Sequence, residues 1–120
     1  MFFYDTYALF AIATGKESYK KYSKGIRVVT TLVNLYELYY ILIRESYYNE
    51  AEYFFNRFLA SCVVIQPEMI KESAKFKLTH QKIGFSYADC LGYCIAQKLG
   101  IPFLTGDDGF KKMPNVEFVK

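Results

Sequence analysis

The chain has 120 residues, 52% hydrophobic and 22% charged, so it reads as one domain over residues 1–120, long enough to bury roughly two-thirds of its unfolded surface without staples. A net charge of +3 does not by itself announce a polyanion partner, and no stretch has the low hydrophobicity and high net charge of a disordered chain. Cys62, Cys90 and Cys94 are odd in number and lack C-x-x-C spacing, which argues against a disulfide framework or zinc knuckle and for a reducing cytoplasm.

In chain order, the opening "MFFYDTYALFAIATG" imitates a signal peptide at "AIA", but it has no basic start and Asp5 interrupts it. Instead "FFYD" at 2–5 reads as a strand, followed by helical patterns over 7–13 and 16–23. The latter belongs to "KESYKKYSKGIR", where Lys16, Lys20, Lys21, Lys24 and Arg27 face a single acid, Glu17. That is either the solvated face of a helix or a phosphate-contacting patch. "IRVVTT" at 26–31 reads as a second strand, and helices follow over 32–46 and 49–60. The apolar block "LYYILI" at 38–43 lies between Glu37 and Arg44 and falls far short of the roughly 18 residues of a membrane helix, so a soluble protein with no membrane role is expected.

"CVVIQ" at 62–66 reads as a third strand, then come helices over 68–80 and 87–98, a strand "PFLT" at 102–105, and "VEFV" at 116–119 as an edge strand. Cys90 and Cys94 share a face of the last helix but read as small core side chains, since His80 is the lone histidine. Strand and helix alternate, and the strands are nearly continuous apolar runs. This is the pattern of an α/β fold with a mostly parallel sheet covered on both faces. Such sheets bind ligands beyond the carboxyl ends of their strands.

Asp5 and Asp107 fall on that edge, and Glu37, Asp89 and Asp108 are weighed beside them. Asp5 ends the first strand; a buried acid there either caps the next helix or binds something. Glu37 is the lone carboxylate of "TTLVNLYELYYILI", beyond reach of a capping box, and forms either a wet stripe with Asn34 or part of a site. Ser86 and Asp89 in "SYADCLGYCIA" have the S-x-x-D form of a capping box, which leaves Asp89 free to point out of the helix end. Asp107 and Asp108 in "GIPFLTGDDGF" suit a tight turn or a site.

Together, "FFYDTYALF", "TTLVNLYEL" and "SYADCLGYCIAQKLGIPFLTGDDGF" resemble the PIN domain, the small nuclease fold of many VapC toxins of prokaryotic VapBC toxin–antitoxin pairs. The resemblance runs from Asp5 to Phe110 and is most specific in the last segment, with its acid, small-residue helix, G-I-P turn, strand and T-x-D-x-x-F element. It implies a three-layer α/β/α sandwich with a mostly parallel central sheet of four to five strands. It also implies that Asp5, Glu37, Asp89 and Asp107 are the acids gathered round a divalent metal, with Thr105 helping to arrange them and positioning the substrate. Asp108 is the alternative fourth acid, and Tyr7 departs from the family's D-T-N or D-S-S start.

Converging carboxylates repel one another, and a hard cation, Mg²⁺ or Mn²⁺, relieves that conflict; zinc lacks its histidine and thiolate ligands. The implied function is a metal-dependent endoribonuclease acting on single-stranded or loop RNA, with a homodimer and a VapB-type antitoxin as implied partners. The alternatives are a non-catalytic PIN-like RNA-binding or protein-interaction module, and a stand-alone RNA-processing nuclease without an antitoxin. A haloacid-dehalogenase phosphatase would need D-x-D, where Tyr7 stands, and a serine or cysteine hydrolase would need a base better placed than His80.

Overall fold

The structure is a computed structural model that describes all 120 residues. Strands β1 (Phe2–Tyr4), β2 (Val28–Val29), β3 (Phe103–Thr105) and β4 (Val116–Phe118) form one sheet in the order β2-β1-β3-β4. Every pairing is parallel, with Phe3 opposite both Val29 and Phe103, and Thr105 opposite Phe118. The helices are α1 (Thr6–Ala13), α2 (Leu32–Arg44), α3 (Tyr48–Leu59), α4 (Pro67–Thr79) and α5 (Tyr87–Leu99).

Side chains alternate across the strands, and each face collects its own core. Tyr4 and Leu104 point into a cluster with Leu9, Leu35, Leu38 and Leu42, under α1 and α2. Phe3 and Phe103 point the other way, onto Leu91, Ile95, Phe85 and Phe110, under α5. The expected sandwich is therefore present, with four strands. α5 lies close enough to the sheet that a Cβ on Gly92 would stand 2.6 Å from the Phe3 ring, so only glycine permits this approach.

Helix starts follow the sequence closely. Thr31 caps α2 by accepting the Asn34 N–H at 3.1 Å, Pro67 occupies the first turn of α4, and Gly100 ends α5 at φ +67°.

Two elements differ from expectation. The segment 62–66 is not a strand: Cys62 makes a single parallel bridge to Thr30, with Val63 N–H donating to Thr30 O at 2.9 Å. β2 spans two residues and Thr31 already caps α2, so beyond Thr30 no extended backbone remains for Val64 to Gln66 to pair with. The segment 16–23 is a 3₁₀ helix over Glu17–Tyr22. In a three-residue turn i and i+3 eclipse, and this aligns Tyr19 and Tyr22, both buried, against Tyr4, whose hydroxyl donates to Tyr22 O at 2.7 Å.

Candidate active site

Parallel strands bring their carboxyl ends to one edge, where β1 delivers Asp5 and β3 delivers Thr105, Gly106 and Asp107. The first turn of α5 contributes Ser86 and Asp89, and the middle of α2 contributes Glu37. All of these except the buried Thr105 line one hollow of about 470 Å³, together with Thr6, Tyr7, Phe10, Ile41, Asp108 and Lys120. The four acids singled out by the resemblance, drawn from positions 5 to 107, thus face a common space.

Three of those acids are also helix caps. Asp5 Oδ1 accepts the Ala8 N–H at 2.8 Å and starts α1. Asp89 Oδ2 accepts the Ser86 N–H at 3.0 Å while Ser86 Oγ accepts the Asp89 N–H at 3.0 Å, a reciprocal capping box. Asp107 Oδ1 accepts the Gly109 N–H at 2.9 Å and opens the short 3₁₀ turn Asp108–Phe110. Each cap engages one carboxylate oxygen and leaves the other. The capping and ligand alternatives weighed from the sequence are therefore compatible in geometry.

The surroundings of Asp5 are the most demanding. It is 1% exposed, and its Oδ2 is the buried side-chain polar atom in the molecule without a hydrogen-bond partner. Burial pushes its carboxyl well above the usual aspartate range, and the charges of Asp89 and Asp107 push in the same direction. Nearby Thr105 and the Ala8 N–H counteract this in part. Thr105 is itself fully buried and accepts the Asp107 N–H at 3.0 Å, tying the floor of the hollow to its rim. Asp89 is pushed up to about 6, chiefly by burial, with Glu37 and Asp107 adding repulsion.

Tyr7, the departure from the family's small polar residue, lays its ring against Gly106. A Cβ on Gly106 would lie 2.2 Å from that ring and 2.5 Å from Val119 O. The Tyr7 hydroxyl accepts a hydrogen bond from Lys16 Nζ at 2.9 Å, so Lys16 reaches the rim of the hollow. Lys20, Lys21 and Lys24 are exposed along the 3₁₀ segment and its exit, whereas Arg27 precedes β2 and stands at the edge of the sheet opposite Asp5. Asp108 is exposed and paired with Lys120. Lys120 lines the hollow with no motif to mark it in the sequence, and Tyr7 was visible only as a departure from the family pattern.

The donor set suits a hard divalent cation: carboxylate oxygens only, one of them buried and unpartnered, with the charges of neighbouring acids adding to burial in raising the proton affinity of Asp5 and Asp89. No three histidine, cysteine, aspartate or glutamate side chains form a ready-made cage. The caps explain the spread, because each helix start holds its acid at its own place on the rim. Mg²⁺ is usually held by one or two carboxylates with water and substrate phosphate completing its shell, so this looser arrangement fits it.

Comparison with known proteins agrees with this geometry. The PIN domain family model matches residues 2–116. The chain belongs to the PIN domain family. No curated protein sequence matches it significantly. Among solved structures, the PIN chain is similar to Mycobacterium tuberculosis VapC20, a Sarcin-Ricin loop cleaving toxin, at TM-score 0.82 and 19% identity, with 100% of each chain covered. It is also similar to a chain of a toxin–antitoxin complex from Klebsiella pneumoniae, at TM-score 0.73 and 16% identity over 98% of this chain and 96% of that one. PAE2754 from Pyrobaculum aerophilum follows at TM-score 0.70 and 18% identity, over 98% and 89%. At these identities the likeness is one of fold.

Proposed function

We propose that this PIN chain is a divalent-metal-dependent endoribonuclease that hydrolyses phosphodiester bonds of single-stranded or loop RNA, and that it is the toxin of a VapBC-type pair. The observation that carries the reading is Asp5, a buried carboxylate with one unpartnered oxygen, which lines a hollow together with Glu37, Asp89 and Asp107. A buried charge without a partner is costly, and a fold that keeps one has a use for it. Membership of the PIN family and the fold shared with VapC20 support the same reading.

Asp5, Glu37, Asp89 and Asp107 would hold Mg²⁺ or Mn²⁺, which when bound activates water and neutralises charge building on the phosphate. The chain's own residues do the rest. Asp5 offers Oδ2 from a position fixed by the α1 cap. Asp89 keeps Oδ1 clear of the capping box and available to the cation directly or through a water. Asp107 completes the set or orients that water, held by Thr105 below and Gly109 beside it. Lys16 at the Tyr7 hydroxyl, with Lys20, Lys21 and Lys24 beyond it, would meet the RNA backbone.

The test is cleavage of single-stranded RNA by purified protein with Mg²⁺ or Mn²⁺. Asp5→Asn and Asp89→Asn should each stop it while preserving the circular dichroism spectrum, since asparagine still caps a helix. Variants that cut at the parent rate would overturn the assignment. A homodimer and a small antitoxin partner belong to the same proposal, tested by light scattering and by co-purification with the product of an adjoining short reading frame. The absence of a ready-made three-acid cage favours a second reading, a non-catalytic RNA-binding or protein-interaction module. Full RNA affinity with no cleavage under any divalent metal would select it.

A further inference from the structure

Beside the acidic hollow lies a second depression of about 590 Å³, and the two share Glu37 and Ser86. Its chemistry is different. Val33, Tyr36, Glu37 and Tyr40 line it from α2 at i, i+3, i+4 and i+7, one continuous stripe of the helix. Opposite stands Tyr87 at the start of α5, and Lys77 reaches in from α4. Tyr36 is 75% exposed and Tyr87 78% exposed. Neither ring serves the core, although most of the chain's other aromatic residues do.

The geometry points to a nucleobase subsite: an unstacked base next to the scissile phosphate of single-stranded RNA stacks in this groove on the rings of Tyr36 and Tyr87. Three observations carry it. The groove adjoins the acidic hollow at Glu37 and Ser86, and Glu37 stands within the aromatic stripe, so these rings are within reach of a base whose phosphate lies over the acids. Lys77 Nζ lies 4.7 Å from the centroid of the Tyr87 ring and is held by the Phe85 carbonyl, a fixed cation suited to a neighbouring phosphate. The Tyr36 ring and the face of Tyr87 away from Lys77 can bind any base by its π-face, whereas an apolar protein segment laid here would seal Glu37 from water without pairing it.

This inference rests on the ribonuclease reading for where the phosphate lies, and its test separates the two. Binding of a fluorescent single-stranded oligoribonucleotide is measured in the Asp5→Asn background with Mg²⁺, so that the strand stays whole. Tyr87→Ala and Tyr36→Ala should each weaken binding roughly 5- to 100-fold, the worth of one base stacked on one ring. Tyr87→Phe and Tyr36→Phe, which keep the ring, should bind like the parent. Removing a single base at one position of the strand should cost at least as much as Tyr87→Ala, and adding Tyr87→Ala to the strand that lacks that base should cost nothing further, the signature of a direct contact.

Unchanged RNA affinity in the Tyr36→Ala, Tyr87→Ala double variant would overturn the subsite, as would loss of self-association or of a protein partner with RNA binding intact. If the otherwise wild-type protein cleaves RNA in an Asp5-dependent manner but that coupling is absent, the subsite fails and the nuclease stands. If the coupling is present and no metal supports cleavage, the nuclease fails and the subsite stands.

Discussion

Asp5 and Thr6 are neighbours in the chain, both almost wholly buried, and their polar atoms are treated in opposite ways. Thr6 belongs to a closed network: its Oγ1 accepts from Asn34 Nδ2 at 3.2 Å, Asn34 Oδ1 accepts from the Thr31 hydroxyl at 2.7 Å, and Thr31 also caps α2. Asp5 keeps an oxygen with no partner, beside a hollow lined by four other carboxylates. A fold able to satisfy a buried asparagine and two threonines could have satisfied the residue beside them. On the proposed reading, the network serves stability and the hollow serves chemistry.

The sharpest way to break that contrast is to exchange the consequences of mutation. Asp5→Asn should lower the rate of RNA cleavage by more than about 100-fold, the upper range for losing merely an outer partner of a metal ligand, with a melting temperature at neutral pH equal to the parent's or higher. Asn34→Ala should do the reverse, costing about 1–3 kcal/mol in denaturant unfolding because Thr6 and Thr31 lose a buried partner. Similar losses of stability in both variants would remove the distinction.

Divalent metal comes next in size. Saturation to about 100 times the dissociation constant should add roughly 2.7 kcal/mol, seen as a rise of about 10 °C in the thermal midpoint, and Asp5→Asn should abolish most of that rise. A full rise in Asp5→Asn would locate the ion elsewhere.

A smaller effect is the pH dependence of the metal-free protein. The Asp89 carboxyl is raised from 3.8 to about 6 in the fold, so between those values the folded state holds more protons than the unfolded chain. Its contribution to stability is therefore largest near and below pH 4, declines as pH rises through the window, and levels off above about 6. Asp5, raised in the same direction, steepens the decline. Asp89→Asn should flatten this profile and Asn34→Ala should leave its slope alone. Metal stabilisation should run the other way, growing with pH as the carboxylates lose their protons.

The smallest effect is expected at the exposed Lys120–Asp108 pair, where Lys120→Ala should leave the thermal midpoint within experimental error.

Much of this contrast could be read before any coordinates. The strand-ending position of Asp5, the S-x-x-D box at Ser86 and the T-x-D-x-x-F element at Thr105 are local signals, and the structure keeps each on its expected element. Glu37 was legible as an isolated acid in an apolar helix, but its place between two depressions depends on how α2 crosses α5, which no local pattern carries. "CVVIQ" has strand composition, and it misled because pairing needs a partner and β2 ends too soon. Composition could not separate the buried rings of Tyr19 and Tyr22 from the bare rings of Tyr36 and Tyr87, since a tyrosine's surroundings are set by distant packing. The Asn34 network was equally hidden, because it joins residues 28 positions apart.

Because Asp5 and Asp107 each cap a helical turn as well as lining the hollow, neither duty can drift alone during evolution. Serine, threonine or asparagine would start the turn but bring no charge; glutamate would bring charge from a longer arm that caps poorly. Where both duties are required, the permitted alphabet at those positions shrinks to a single letter.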